Sequence, residues 1–155
     1  MFKRGWRYFL MLTTMKALVK ENDICVLATA SADAVPHCSL MAYVCDEACR
    51  EIYIATHRFT QKYNNLQQNP AVSLLIDSRE INPRQQVQAL TVTGLYRPID
   101  KEWKKEQVKT QLLHRHPYLI DFINHPDTAI LGINLQSFLL LNGIAKSHFA
   151  SLDDL

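Results

Sequence analysis

Between residues 56 and 62 the chain reads Thr56-His57-Arg58-Phe59-Thr60-Gln61-Lys62, which gathers two threonine hydroxyls and two strong cations in one short segment. The run before it, Ile52-Tyr53-Ile54-Ala55, has strand character, and the run after it is helical until Asn69-Pro70. A strand giving way to a helix presents free backbone amides and the positive end of the helix dipole to solvent. An anion there gains about 0.3–1 kcal/mol at an exposed site. Thr56 and Thr60 can donate hydroxyl hydrogen bonds, Lys62 can act as a point charge, and Arg58 can offer a planar fork to a phosphate. The same residues also describe an ordinary helix start, with Thr60 the N-cap and Lys62 a solvated side chain. On residue types alone both descriptions stand.

Other reactive side chains are sparse. His37 and Ser39 share one face of an extended run, where they suit contact with a bound ligand as well as partial burial. They do not make a nucleophile–base pair with Cys38, which faces the opposite way. His57 reads as a solvent-facing loop histidine. His114 and His116 sit where a helix ends, which is electrostatically comfortable for cations. None of the cysteines Cys25, Cys38, Cys45 and Cys49 makes a Cys-x-x-Cys pair. With no export signal evident, free thiols are expected. A zinc site from Cys45, Cys49 and a histidine fits no common ligand spacing, so no metal is expected.

These residues must be positioned by a fold of ordinary composition. The chain has 155 residues, 48% hydrophobic and 21% charged, with a formal net charge of +2. That length supports one domain over residues 1–155 with a real core. The small charge argues against a nucleic-acid partner. No apolar run approaches the roughly 20 residues of a membrane helix, and the N-terminal stretch lacks a cleavage motif, so a cytoplasmic protein is expected. A helix is predicted over 13–22, capped by Thr13 or Thr14, with Met15, Leu18 and Val19 on its apolar face. Strands follow at 24–30, 37–45, 51–55, 71–77 and 87–98, with a helix over 60–68 between the third and fourth. Gly94 marks a bulge or a close backbone approach. Helices are predicted from Asp100 to His114 and from Pro117 to a stop at His125-Pro126. Thr128–Leu135 and Phe138–Ile144 are read as a closing hairpin. Six to seven mostly antiparallel strands with inserted helices indicate a small closed barrel of mainly β class. Trp6, Trp103, Phe122 and Phe138 are assigned to the core or to an interface between copies.

From Ile24 to Gly94, and again at Phe138-Leu139-Leu140-Leu141-Asn142-Gly143, the chain resembles the pyridoxamine 5'-phosphate oxidase-like family of FMN-binding split barrels. The pieces that carry the likeness are Val26-Leu27-Ala28-Thr29-Ala30, Asp33-Ala34-Val35-Pro36-His37, Thr56 with Thr60 and Lys62, then Leu66, Asn69, Pro70 and Val72-Ser73-Leu74-Leu75. The resemblance implies FMN as cofactor. It places Thr56, Thr60 and Lys62, with Arg58 nearby, around the FMN phosphate, Ser39, Leu40 and Met41 along the flavin and ribityl chain, and His37 near the start of that strand. It also implies a homodimer with flavin at the interface and a small-molecule electron donor or acceptor, hence a small oxidoreductase. Where the namesake oxidases carry arginines, this chain has Ser39 and Gln61. Where they carry a glutamine it has Ala89, and residues 150–155 hold no arginine. The expectation is therefore flavin binding without pyridoxamine phosphate oxidation. The alternative it allows is a non-catalytic module holding haem or another ligand, with His148 as the candidate haem ligand, or a barrel without a cofactor.

Overall fold

Short turns make three of the six connections between strands, and neighbours joined by short turns pair antiparallel. In the computed structural model, which describes residues 2–80, 82 and 86–152, the order is α1 (Phe2–Glu21), β1 (Ile24–Ala30), β2 (Pro36–Cys45), β3 (Glu51–His57), α2 (Gln61–Gln68), β4 (Ala71–Asp77) and β5 (Gln88–Pro98). After these come α3 (Glu102–Arg115), a 3-10 turn at Pro117–Leu119 leading into α4 (Ile120–Ile123), β6 (Thr128–Asn142) and β7 (Lys146–Ser151). Pro83, in the loop expected before β5, and the last three residues of the tail lie outside the described residues. All strand pairs described are antiparallel. The sheet runs β3-β2-β1-β4-β5-β6-β7, and an extra β3–β6 pairing closes six strands into a barrel with β7 outside the ring. This is the split-barrel β+α fold.

Two expectations are corrected. The closing hairpin at Gln136-Ser137 is instead one long strand. Thr93 pairs Ser137 while Gly94 pairs Leu135, so Gln136 is the extra residue of a bulge, and its carbonyl accepts the Leu152 amide at 2.8 Å. A reversal needs a residue that tolerates positive φ, and that residue is Gly143, at φ +67°. The chain turns there into β7. The helix predicted to start near Thr13 begins at Phe2. No breaker precedes Thr13, and one exposed glycine, Gly5, costs only about 1 kcal/mol. Thr13 and Thr14 cap nothing. Their hydroxyls donate to the carbonyls of Phe9 and Leu10 at 2.9 and 3.0 Å.

The barrel interior is filled by alternate residues of the ring strands, among them Leu27, Ile52, Ile54, Leu74, Leu90 and Phe138, with Leu12, Met15, Leu18 and Val19 of α1 completing the same cluster. β3 is buried on both faces. Ile52 and Ile54 face the barrel, while Tyr53 and Ala55 face outward onto Val108 and Leu112 of α3 and Ile123 of α4. His116 ends α3 and is buried, with Nε2 2.9 Å from the Tyr43 carbonyl and Nδ1 3.3 Å from the Tyr118 hydroxyl. At the end of the helix, as its position in the sequence indicated, it anchors α3 to β2. Of the four aromatics singled out in the sequence, Phe138 is fully buried and Phe122 packs beneath α3, whereas Trp6 and Trp103 are exposed.

The bulge makes Gly94 sensitive. A Cβ there would lie 2.7 Å from the Asn134 carbonyl oxygen, whereas one at Gly143 meets open space but a left-handed backbone. Gly94→Ala is expected to lower unfolding free energy by about 1–3 kcal/mol, and Gly143→Ala by about 1 kcal/mol. Urea denaturation checks both; a Gly94→Ala chain as stable as the parent contradicts the close approach.

Candidate functional site

β3 carries Thr56 on its barrel-facing side, 1% exposed. Three residues beyond the end of β3, Thr60 takes extended backbone angles and caps α2, its Oγ1 accepting the Tyr63 amide at 3.4 Å. The same oxygen lies 2.9 Å from the His57 carbonyl, to which it donates, and 3.0 Å from Thr56 Oγ1. The two hydroxyls predicted from sequence are therefore in contact. The amides of Gln61 and Lys62 occupy the first-turn positions that a helix cannot satisfy internally.

Gln61 and Asn65 fix the orientation of this helix. Gln61 Nε2 donates to Asn65 Oδ1, and Asn65 Nδ2 donates to Thr29 Oγ1, both at 3.0 Å. Asn65 and Thr29 are buried, so the chain locks α2 onto β1. Gln61, at a position where the namesake oxidases have arginine, spends its amide on this scaffold.

Lys62 is half-buried and, among the described residues, forms no ion pair. Desolvation holds its ammonium below the ordinary lysine range. With Thr56, Thr60 and His57 it lines one end of a cavity of about 250 Å³. The other walls are Leu40, Met41 and Ala42 of β2 and, from the α3–α4 segment, Leu112, Leu119 and Phe122. The cavity thus joins a cationic, hydroxyl-rich end to an apolar slot. Such a shape suits an amphiphile with an anionic end and a flat or aliphatic body.

The remaining predicted residues fall in different places. Arg58 does not line the cavity. Its Nη1 donates to the carbonyls of Pro126 and Thr128 at 3.1 and 3.3 Å, tying α2's approach to the start of β6. His37 and Ser39 lie on the barrel side of β2, paired with Thr29 and Leu27, at one end of the strand that lines the cavity. His57 is not a loop residue facing solvent. It ends β3, stacks on Phe59 at 5.2 Å, meets Phe122 and His125 edge-on at 4.4 and 5.0 Å, and lies 3.3 Å from Thr128 Oγ1. Sequence reasoning missed His57 as a wall residue and all of Leu112, Leu119 and Phe122. Only the helix-to-strand spacing after Pro117 hinted that a segment folds back across β3. No cluster of three or more His, Cys, Asp or Glu suited to a metal occurs among the described residues.

An uncompensated, half-buried cation costs folding energy. Its depressed affinity for protons means the cost is present at neutral pH and fades as pH rises through the depressed value toward 10.5, the ordinary lysine value. Lys62→Met is therefore expected to leave stability at pH 7 equal or higher, with the gain shrinking at alkaline pH. Denaturant midpoints across that range test this. A clear loss of stability at pH 7 would mean that Lys62 has a structural partner.

The family model described as pyridoxamine 5'-phosphate oxidase matches residues 11–141. The chain belongs to that family. None of the curated proteins compared with it matches the sequence. Among solved structures it is similar to a protein related to general stress protein 26, of the pyridoxinephosphate oxidase family, from Clostridium acetobutylicum (TM-score 0.71, 17% identity, 95% of this chain and 96% of that one). It is also similar to HutZ, the haem storage protein from Vibrio cholerae (TM-score 0.69, 21% identity, 84% and 93%). A third likeness is to a haem-binding protein from Mycobacterium smegmatis (TM-score 0.77, 15% identity, 88% of this chain), of whose length it spans only 56%. At these identities the likenesses establish the fold.

Proposed function

We propose that this member of the pyridoxamine 5'-phosphate oxidase family is an FMN-binding flavoprotein and a small oxidoreductase or electron carrier. Residues 1–155 would form one cytoplasmic split-barrel domain. The observation that carries this reading is Lys62, half-buried and without a counter-ion among the described residues, beside the touching hydroxyls of Thr56 and Thr60 at the mouth of an apolar slot. A phosphate ester supplies the missing negative charge, and a flat heterocycle suits the slot between Leu40 and the Leu112–Leu119–Phe122 wall. Bound FMN would supply the redox chemistry. The chain's part is to hold the phosphate with Lys62 and Thr60, to orient the ring along the backbone of Ser39, Leu40 and Met41, and to exclude water with the apolar wall. His37 borders the strand end, and Arg58 is a secondary cation once released from Pro126 and Thr128. The partner in the reaction would be a small-molecule electron donor or acceptor, with no nucleic-acid or membrane partner. Among the described residues no helix is long and apolar enough to cross a membrane. Serine at 39 and the commitment of Gln61 to Asn65 argue against oxidation of pyridoxamine phosphate itself.

The cavity is about 250 Å³, below the roughly 300–1,000 Å³ of most small-molecule sites, so one chain supplies part of a site. An apolar row crosses the outer sheet face beside it, in register: Leu40, Val26, Leu75, Thr91, Leu139 and Phe149. Leu40 is 74% and Phe149 64% exposed. Such a row, apolar apart from Thr91 and exposed at Leu40, Leu75, Leu139 and Phe149, marks an interface. We assign it to a second copy of the chain, which completes the flavin site. Leu40→Arg with Phe149→Arg should yield monomers in sedimentation and weaken FMN uptake by tenfold or more. A dimer unchanged by both substitutions contradicts the assignment.

Haem binding is the second reading, favoured by the haem-binding proteins among the similar folds. His148 lies half-buried on β7, on the same side of the strand as buried Ala150. A Soret band on haem addition that His148→Ala removes would favour it.

The flavin reading is tested by titrating the protein with FMN and with riboflavin. A charge-assisted phosphate contact contributes about 1.5–3 kcal/mol, so Lys62→Ala should weaken FMN roughly 10–100-fold and leave riboflavin nearly unchanged. Equal losses for both ligands remove Lys62 from the phosphate site.

A further inference from the structure

A second cavity, of about 540 Å³, opens where the ends of α1 and α3 flank the end of β2 and the β2–β3 turn. It shares no lining residue with the flavin cavity. Its size falls within the roughly 300–1,000 Å³ of most small-molecule sites. Packing explains why the space is there. α1 closes the barrel interior with Val19, whereas α3 lies on the outer face of β3 with Val108 and Leu112. The last residues of β2 fall in the seam, Cys45 leaning on the first cluster and Val44 on the second.

The walls are held in place from within the chain. The Tyr43 hydroxyl donates to the Val19 carbonyl at 2.6 Å, and the Tyr43 carbonyl lies 2.9 Å from His116 Nε2. Arg115 Nη2 donates to the Lys20 and Glu21 carbonyls at 3.5 and 3.4 Å, and its Nε lies 3.8 Å from Asp23 Oδ2. On the turn, Asp46 Oδ1 accepts the amides of Arg50 and Glu51, both at 2.7 Å. The four elements are thus tied together without filling the space between them. Val19, Tyr43, Val44 and Cys45 give that space an apolar floor. Its ionisable side chains divide by element, with Lys20, His114 and Arg115 on the helix ends and Asp46 and Glu47 on the turn. Arg115 and Asp46 are engaged by the contacts above. Lys20 and Glu47 form no ion pair, with each other or with any other group, among the described residues.

We propose that this cavity binds a short peptide, two or three residues long, with apolar side chains. Its terminal ammonium meets Glu47, its terminal carboxylate meets Lys20, and its side chains lie on the floor. Gln111, on the α3 wall, can pair with a peptide amide through both ends of its own amide group. The charge pattern selects this class. A fatty acid or other simple anion would answer Lys20 and leave Glu47 without a partner. An organic cation would answer Glu47 and face Lys20 and Arg115. A ligand with both signs, one at each end of an apolar body, answers both. A free amino acid carries its two charges on one carbon, whereas each residue added to a peptide separates them by up to about 3.3–3.6 Å more. That separation suits two charges that stand too far apart to pair with each other.

The test uses the full chain carrying Cys38→Ser. Cys25 and Cys49 are buried, so Cys45 is then the accessible thiol, and its alkylation by iodoacetamide, followed by mass, reports on the cavity. The probe is the dipeptide leucylphenylalanine. Near saturation it should slow alkylation of Cys45 by about tenfold or more. Its N-acetyl and C-terminal amide forms, each lacking one charge, should need roughly tenfold higher concentrations for the same protection. Glu47→Gln should remove the preference over the N-acetyl form, and Lys20→Met the preference over the amide, each leaving the other preference in place. Both side chains are exposed, so neither change threatens the fold. No protection by millimolar dipeptide overturns the proposal. So does equal protection by leucine, by the dipeptide and by its two capped forms, or a variant that keeps both preferences.

Discussion

The pairing of β3 with β6 is the constraint on which the rest depends. It runs from Glu51 opposite Asn134 to His57 opposite Thr128 and closes the barrel. Closure removes the open edges that an antiparallel sheet otherwise leaves. It also turns one face of β3 into the barrel interior, and its register fixes which side of the strand each residue takes. Thr56 is thereby held inward at the strand's end, where α2 begins. The same pairing leaves the outer face of β3 to be covered by α3 and α4, and that cover is the apolar wall of the cavity. β6 then parts from β3 near Leu135 and continues with β5 and β7. The bulge at Gln136 and the absence of a side chain at Gly94 make this parting possible.

Within that frame the site is polarised by local chemistry. The hydroxyls of buried Thr56 and half-buried Thr60 satisfy each other and the His57 carbonyl, while Gln61 donates to Asn65 and Asn65 to Thr29. Lys62 is left half-buried with no ion pair among the described residues. A protein core tolerates such a group at a cost, and positions that oppose stability are where binding function is concentrated. The arrangement therefore favours an anionic ligand over a purely structural role for the segment. The depressed proton affinity of Lys62 points the same way, because an arriving phosphate would reverse it.

Much of this was legible in the sequence. β1, β2, β4 and β5 are apolar or alternating runs bounded by turn residues, so their ends lie within a residue or so of the predicted ones. The Thr60 cap, the stop at Asn69-Pro70 and the close backbone approach at Gly94 are local and were equally readable. β6 and β7 were not, because a bulge and a turn both interrupt alternation, and only the pairing of Thr93 and Gly94 tells them apart. The start of α1 was obscured because threonine serves as a cap or, inside a helix, bonds back to the preceding turn. For the site, the hydroxyls and Lys62 come from one contiguous segment and could be read together. The wall of Leu112, Leu119 and Phe122 comes from residues about fifty positions away and looks, in sequence, like any helix core. The burial of His116 was hidden for the same reason: it depends on the distant Tyr43 carbonyl.

The visible absorbance spectrum of the freshly purified chain, before and after addition of FMN, tests the central claim most directly. The account predicts a flavin band in the blue region that persists through gel filtration, reaching one flavin per chain after FMN addition. A chain that carries no flavin band and takes up none on titration contradicts it.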